Sequence, residues 1–111
     1  MVKPNKKMAA IMFTDIVGYT KQMSEDEDKA YALIKKKRGL LLPLIEKHEG
    51  KLIKEIGDGT LTRYFKANDA INCASKFQSE TDDDLNVRVG IHTGEVIIDN
   101  EDVFGDVVNV A

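Results

Sequence analysis

The sequence predicts an α+β fold, in which an antiparallel sheet carries its helices on one face in the ferredoxin-like order βαββαβ. Three observations predict it. Short apolar or alternating runs of strand length recur along the chain, two longer segments between them have apolar residues at helical spacing, and a glycine-rich turn joins the second and third strands. With 111 residues the chain has room for one domain with one core.

The first half of the chain predicts a tail, a strand and a long helix. Residues 1–7 form the tail, and residues 8–13 are an apolar run too short for a helix. The helix is predicted to begin at Ser24, whose hydroxyl can cap its first turn. Pro43 is expected to bend its last part, and Gly50 follows as its stop.

The second half predicts a hairpin and a second helix. Residues 51–56 and 60–65 are rich in strand-forming residues and flank the turn Gly57-Asp58-Gly59. Asn68 or Asp69 is expected to cap the second helix. That helix carries an apolar stripe at i, i+3, i+4 and i+7, formed by Ala70, Cys73, Ala74 and Phe77, which we assign to the core.

The last predicted strand, residues 85–92, alternates apolar with other residues, and residues 93–94 are expected to turn into a further strand at 96–98. Right-handed crossovers make the first and third strands antiparallel neighbours at the centre of the sheet. The end of the first strand then lies beside the start of the third. Asp15 and Asp58 are therefore expected to converge.

Composition limits the classes of partner. Sixteen basic and 19 acidic residues give a net charge of −3, which offers no general electrostatic reason to bind nucleic acid or an anionic membrane. The one cysteine, Cys73, cannot form an internal disulfide, so a cytoplasmic location is expected. No run approaches the ~20 apolar residues of a membrane span and no signal peptide is visible, so membrane or sensor domains would act only through segments outside this chain.

Two carboxylates at one end of a sheet, beside glycine-containing loops, suit Mg²⁺, whose ligands are hard oxygens and substrate phosphates. A pair of such ions can activate a hydroxyl and neutralise a leaving group. Simpler roles stay open at this point, because Asp58 fits the aspartate of an ordinary turn and Asp15 a strand-end residue bonded to nearby amides. Neither a P-loop nor a Rossmann glycine pattern occurs.

Four segments of the chain together carry a family resemblance. Phe13-Thr14-Asp15-Ile16-Val17-Gly18-Tyr19-Thr20, Lys54-Glu55-Ile56-Gly57-Asp58-Gly59, Arg88-Val89-Gly90-Ile91-His92-Thr93-Gly94 and Phe104-Gly105-Asp106-Val107-Val108-Asn109-Val110-Ala111 stand in the order of the family's signatures. The chain resembles, over residues 8–111, the catalytic domain of class III adenylyl and guanylyl cyclases, here of the adenylyl type. The resemblance implies the palm-like fold of nucleotide cyclases.

The resemblance also implies a metal and phosphate site. Asp15 and Asp58 would hold two divalent ions, Mg²⁺ or Mn²⁺, with the Ile16 carbonyl as a further ligand. Arg88 would lie near the phosphates and the metal ions, where its permanent charge suits an anion. The loop that would lie on the phosphates consists of Val17, Gly18, Tyr19 and Thr20.

Three more residues would recognise the nucleoside. Lys54 and Asp102 match the pair that separates substrates in the family, and lysine with aspartate is its adenine pairing. Lysine can donate to adenine N1 and aspartate can accept from the N6 amino group, which favours ATP over GTP. A register slip of one residue would give the aspartate's role to Glu101. Asn109 would orient the ribose and take part in catalysis.

The implied reaction is the attack of the ribose 3′-hydroxyl on the α-phosphate of ATP, which gives 3′,5′-cyclic AMP and pyrophosphate for signal transduction. Because the chain carries both halves of the family's shared site, a homodimer with active sites at the interface is expected. The family's arginine four residues beyond Asn109 falls past Ala111, so these 111 residues alone are expected to be nearly inactive.

Other functions compete with this one. One is a degenerate, non-catalytic module that binds nucleotide or dimerises; loss of either aspartate would have supported it, and both are present. A guanylate cyclase, or a metal-dependent nucleotidyltransferase of palm architecture, fits the Lys54 and Asp102 pair less well.

Overall fold

A computed structural model of the chain describes residues 5–99 and 102–105, and in these ranges it shows a single mixed unit of strands and helices. The elements in chain order are β1 (Asn5–Ile16), α1 (Tyr19–Glu25), α2 (Glu27–Lys47), β2 (Lys51–Ile56), β3 (Gly59–Tyr64), α3 (Ala67–Glu80), β4 (Val87–Asp99) and β5 (Asp102–Phe104). The strands form an antiparallel sheet of order β2-β3-β1-β4-β5. The predicted α+β class and the ferredoxin-like order of its first four strands are confirmed.

β1 is the central strand of the sheet, and its end lies between β3 and β4. Thr14 on β1 is paired with Thr60 at the start of β3, as the right-handed crossovers predict. On the other side, Asp15 is paired with Arg88 near the start of β4. Directly paired residues share a face of the sheet, so the Asp15 and Arg88 side chains are neighbours. The β2–β3 turn, which carries Asp58, lies at this same end.

The core follows from the alternation of side chains along β1. Ala10 and Met12 pack with the helices, whereas Ala9 and Ile11 belong to a second cluster on the opposite face. The α3 stripe is buried as predicted, and Phe77 is 0% exposed. Burial of that one ring contributes about 1.5–3 kcal/mol. This packing places α2 and α3 on the face of the sheet that carries Ala10 and Met12.

Two strand predictions were wrong. Residues 5–7 belong to β1 and not to a tail. The turn expected at residues 93–94 is absent, because Thr93 and Gly94 pair with Ala10 and Ala9 and β4 runs on without a break. The long β1 pairs with β4 from Val87 to Ile98, and this pairing outweighs the local turn preference of Thr-Gly.

The helix starts also differ from expectation. Residues 19–25 form the separate helix α1, and α2 begins only after Asp26, whose side chain accepts a hydrogen bond from the Lys29 amide at 3.1 Å. Ser24 is not the cap, since its hydroxyl donates to the Lys21 carbonyl within α1. Asp26 stands in the extended conformation that an N-terminal cap requires, and this decides where the long helix starts.

The end of α2 and the start of α3 do not use the residues that the sequence predicted for them. Pro43 lies inside α2, which continues to Lys47, and the left-handed residue that follows is Glu49 at φ 63°, not Gly50. Helix α3 begins after Lys66 without a side-chain cap, so the cap predicted at residues 68–69 was wrong. None of the described helices has the length and apolar content of a membrane span.

Candidate active site

An open cleft of about 360 Å³ lies where β1 ends. Four parts of the chain form it: the end of β1, the loop into α1, the β2–β3 turn and the start of β4. Its lining residues are Asp15, Ile16, Gly18, Tyr19, Thr20, Lys21, Asp58 and Arg88. The structure therefore brings the three predicted metal-binding residues together with Arg88 and most of the predicted phosphate loop. Their roles stay predictions.

Asp58 is fixed to the end of β1 by its own carboxylate. The Ile16 amide donates to Asp58 Oδ2 at 2.9 Å, across 42 positions of sequence. Gly57 just before it has φ 58°, a left-handed conformation that glycine adopts without strain, and this bends the turn back towards β1. Asp58 is thus a turn residue whose carboxylate bonds the neighbouring strand, not its own turn.

Asp15 is buried, with 8% of its surface exposed, and its partner is Arg88. The Arg88 guanidinium donates from Nε to Oδ1 at 3.0 Å and from Nη2 to Oδ2 at 2.5 Å. These bonds and the charge of Asp15 raise the pKa of Arg88 further above its usual value. The guanidinium stays accessible, because 73% of the Arg88 side chain is exposed. Asp15 is therefore held from the solvent side by an exposed cation.

A lysine that the sequence reasoning missed lies beneath the two aspartates. Lys37 on α2 is 1% exposed, and its ammonium donates to the Thr14 carbonyl at 3.1 Å, to the Asp58 carbonyl at 2.5 Å and to Thr60 Oγ1 at 3.1 Å. Burial lowers the pKa of Lys37 to about 8, while the charges of Asp58, Asp15 and Glu55 act in the opposite direction.

A sequence signal for Lys37 did exist. Ile34, Lys37, Leu41 and Leu44 follow one another at helical spacing, so the lysine occupies a position in the apolar stripe of α2. A lysine in such a stripe is rarely buried without partners. The stripe therefore marks Lys37 as a residue with a partner elsewhere in the fold.

The donor set of the cleft fits a divalent cation held jointly with a ligand. Asp15 and Asp58 supply carboxylate oxygens and Ile16 a carbonyl, all of the hard type that Mg²⁺ and Mn²⁺ take. In the part of the chain that the structure describes, no three His, Cys, Asp or Glu side chains form a cluster that could hold a metal ion. Two carboxylates leave room for substrate phosphates and water, which Mg²⁺ commonly retains.

The other predicted site residues lie apart from this cleft. Val17 is in the loop after β1, but it is 49% exposed and does not line the cleft. Lys54 is exposed on β2, and Asp102 begins β5, where it pairs with Asp99. These two strands are the opposite edges of the sheet. Asn109 and Glu101 fall outside the described residues. The nucleoside-binding roles stay predictions.

The chain has relatives among known protein families and curated proteins. The family model for the adenylate and guanylate cyclase catalytic domain matches residues 1–111. A Rhizobium meliloti (strain 1021) protein named "Putative adenylate cyclase 3" is 34% identical over 96% of this chain. A Myxococcus xanthus protein named serine/threonine-protein kinase pkn2 is 30% identical over 99% of it. The chain spans only 20% and 14% of the lengths of these two relatives.

Solved structures agree with the family match. An adenylate/guanylate cyclase/hydrolase from Silicibacter pomeroyi superposes with a TM-score of 0.82 at 31% identity, over 98% of this chain and 69% of that one. A bacterial light-regulated adenylyl cyclase has the same fold, with a TM-score of 0.81 at 21% identity, over 100% of this chain and 40% of that one. The match of the family model over the whole sequence shows that the chain belongs to the adenylate and guanylate cyclase catalytic domain family.

Proposed function

We propose that the chain is the catalytic domain of an adenylate cyclase, which converts ATP to 3′,5′-cyclic AMP and pyrophosphate in a signalling pathway. The observation that carries this proposal is the cleft at the end of β1, where Asp15, Asp58 and Arg88 meet beside a glycine-containing loop. A relative of this chain is named as an adenylate cyclase, which supports the class of reaction. Solved neighbours include a guanylyl cyclase, so the choice of base is a separate question.

Each residue of the cleft has a chemical part in this proposal. Asp15, Asp58 and the Ile16 carbonyl would hold Mg²⁺ or Mn²⁺, which when bound supplies neutralising charge at the phosphates and acidifies a hydroxyl. The backbone amides of residues 18–20 would face phosphate oxygens, because Gly18 at φ 74° lets the loop approach closely. The Val17 amide, which was predicted to join them, donates instead to the Asn86 carbonyl at 2.9 Å. The Arg88 guanidinium would release Asp15 and bind the phosphates, to which it can donate two parallel hydrogen bonds.

The nucleoside would be recognised by residues away from the cleft. Lys54 would donate to adenine N1, Asp102 would accept from the N6 amino group, and Asn109 would orient the ribose. The first two lie on opposite edges of the sheet, apart from the metal residues. In a C₂ homodimer, residues of one chain would complete the cleft of its partner, as expected for a site shared between two chains.

The test is product formation from ATP and GTP with Mg²⁺ or Mn²⁺, by the protein expressed with its natural flanking sequence. We expect cyclic AMP as the main product, and a loss of about 10²-fold or more for Asp15→Asn and Asp58→Asn, because each removes a carboxylate from the site. Asp82→Asn is the matched control, since Asp82 pairs with Lys36 away from the cleft. Nucleotide binding without product would support the non-catalytic module, and full activity of Asp15→Asn would refute the metal assignment.

A second measurement addresses the base. Lys54→Glu combined with Asp102→Cys reverses the hydrogen-bonding polarity of the proposed pair. We expect weaker use of ATP, measured as kcat/KM, and some admission of GTP. An unchanged preference for ATP would refute the role of this pair without touching the metal assignment, and cyclic GMP as the main product of the parent protein would make the chain a guanylate cyclase.

A further inference from the structure

The ammonium of Lys37 has its three N–H donors matched by three acceptors. Two of these are backbone carbonyls of the segments that carry the aspartates: the Thr14 carbonyl, whose peptide continues into Asp15, and the carbonyl of Asp58 itself. The third is Thr60 Oγ1 on β3. A lysine carries three such donors and no acceptor, so this tripod uses its whole hydrogen-bonding capacity.

Burial of the Lys37 ammonium costs free energy, because the charged group loses its hydration there. Its side chain sits at the core-facing side of α2, with Leu41 and Leu44 one and two turns further along the same stripe. An apolar side chain there would avoid the cost of desolvating an ammonium. Support of the fold alone does not require a lysine at this position, whereas a link between two backbone segments does require a donor.

Helix α2 itself has a fixed place in the core. It packs through Leu41, Leu44 and Ile45 onto the face of the sheet that carries Met12. The ammonium of Lys37 therefore extends from a rigid element to two segments that must keep a set spacing. On the other side of the strand end, the bond from the Ile16 amide to Asp58 Oδ2 joins the same two segments.

We infer that Lys37 is a positioning residue of the active site, which sets the spacing of Asp15 and Asp58 by joining the peptide before one to the carbonyl of the other. This inference rests on the proposed function, because the spacing matters for divalent-ion binding and for the chemistry that follows. Lys37 does not reach the cleft, so it acts through the two aspartates. Its charge would also repel a divalent ion, and the experiment separates the two effects by sign.

The test is Mn²⁺ binding without nucleotide, followed by the electron paramagnetic resonance signal of free Mn²⁺. In Lys37→Met, which keeps the aliphatic stem and loses the donors, we expect Mn²⁺ affinity about 10-fold weaker, as for loss of other residues that orient metal ligands. The matched control is Thr60→Val, which removes one bond to Lys37 and leaves both carbonyl bonds. We expect its affinity to stay within about twofold of the parent protein's.

Kinetics supply an independent readout. We expect kcat of Lys37→Met to fall about 10-fold or more, with KM for ATP nearly unchanged, because the aspartates lose their alignment while the nucleoside contacts remain. Circular dichroism checks that the variant is folded. If Lys37→Met does not fold, Lys37→Gln replaces it, since its shorter side chain keeps a polar tip, and its Mn²⁺ affinity is expected to change in the same direction.

The outcomes distinguish this inference from the proposed function. If the parent protein binds no Mn²⁺, or Asp15→Asn binds it equally well, the proposed metal site fails and the role of Lys37 fails with it. If Asp15→Asn loses Mn²⁺ while the Lys37 variant binds as the parent does, only the positioning role is overturned. Tighter binding by the Lys37 variant would also overturn it, because Lys37 would then act as a competing charge.

Discussion

Arg88 binds the Asp15 carboxylate that a metal ion would need. Replacement of Arg88 is therefore expected to strengthen metal binding without nucleotide and to weaken binding of a nucleotide analogue. In Arg88→Gln, both hydrogen bonds to Asp15 are lost and Asp15 becomes available to a cation. Mn²⁺ binding without nucleotide is therefore expected to tighten. Binding of a non-hydrolysable ATP analogue with Mn²⁺ is expected to weaken, since the proposed phosphate contact is gone.

The sizes of the two effects follow from exposure. The Arg88 side chain is 73% exposed, and ion pairs in that setting are screened by water, so its removal is expected to tighten Mn²⁺ binding only about two- to fivefold. A bond from a guanidinium to a phosphate is charge-assisted, and its loss is expected to weaken binding of the analogue about tenfold. The analogue experiment therefore has the larger signal.

The affinity for Mn²⁺ is measured from the paramagnetic resonance signal of free Mn²⁺. The affinity for the ATP analogue is measured by isothermal titration calorimetry. Lys76→Gln is the control for net charge, because Lys76 pairs with Glu80 on α3 and does not line the cleft. Weaker Mn²⁺ binding by Arg88→Gln without nucleotide would refute the reasoning, since Arg88 would then orient Asp15 for the metal and not compete with it. Equal binding of the analogue would refute the phosphate contact.

The remaining predictions concern stability, measured by chemical or thermal unfolding. Phe77→Ala is expected to lower the free energy of unfolding by about 3–5 kcal/mol, because it leaves a cavity at a fully buried site; a loss below about 1 kcal/mol would contradict the packing. Gly50→Ala is expected to cost about 1–3 kcal/mol, because its Cβ would overlap the Tyr64 ring, and equal stability would contradict that contact. Lys36 lowers the pKa of Asp82 below its usual 3.8, so the pair stabilises the fold at neutral pH and this contribution disappears as the pH falls through the lowered pKa. Asp82→Asn is accordingly expected to unfold more easily than the parent at pH 7 and equally easily in strong acid, and a difference that persists in acid would contradict the assignment.

The parts of the fold that could be predicted depend on patterns visible over short distances. The Gly-Asp-Gly turn and the alternation in β4 mark strands locally, and the handedness of crossovers then leaves few arrangements of the sheet. For this reason the meeting of Asp15 and Asp58, far apart in sequence, followed from topology. The structure joins Ile16 to Asp58 by a single hydrogen bond at the predicted place.

The parts that failed are those that distant contacts decide. Thr93 and Gly94 have the composition of a turn, but their backbone groups are taken up by β1, which extends further than its apolar run suggested. Lysine is a residue type that usually lies on the surface, yet Lys37 is buried. Its ammonium donates to three acceptors, which lie on β1, on β3 and in the β2–β3 turn. Neither outcome can be read locally, because the residues that determine it lie more than 20 positions away.

The two aspartates are flanked by two cations of opposite character, and this difference has a functional sense. Carboxylates that converge repel each other unless positive charge offsets them. Lys37 offsets them from the core side, where it is 1% exposed and bonded to backbone, whereas Arg88 does so from the solvent side with a side chain 73% exposed. In the proposed site, the buried cation would maintain the geometry, and the exposed one would leave Asp15 when divalent ions and phosphates bind. On this proposal, Lys37 would hold the two carboxylates in place both before and after a ligand binds, because its own contacts lie outside the cleft.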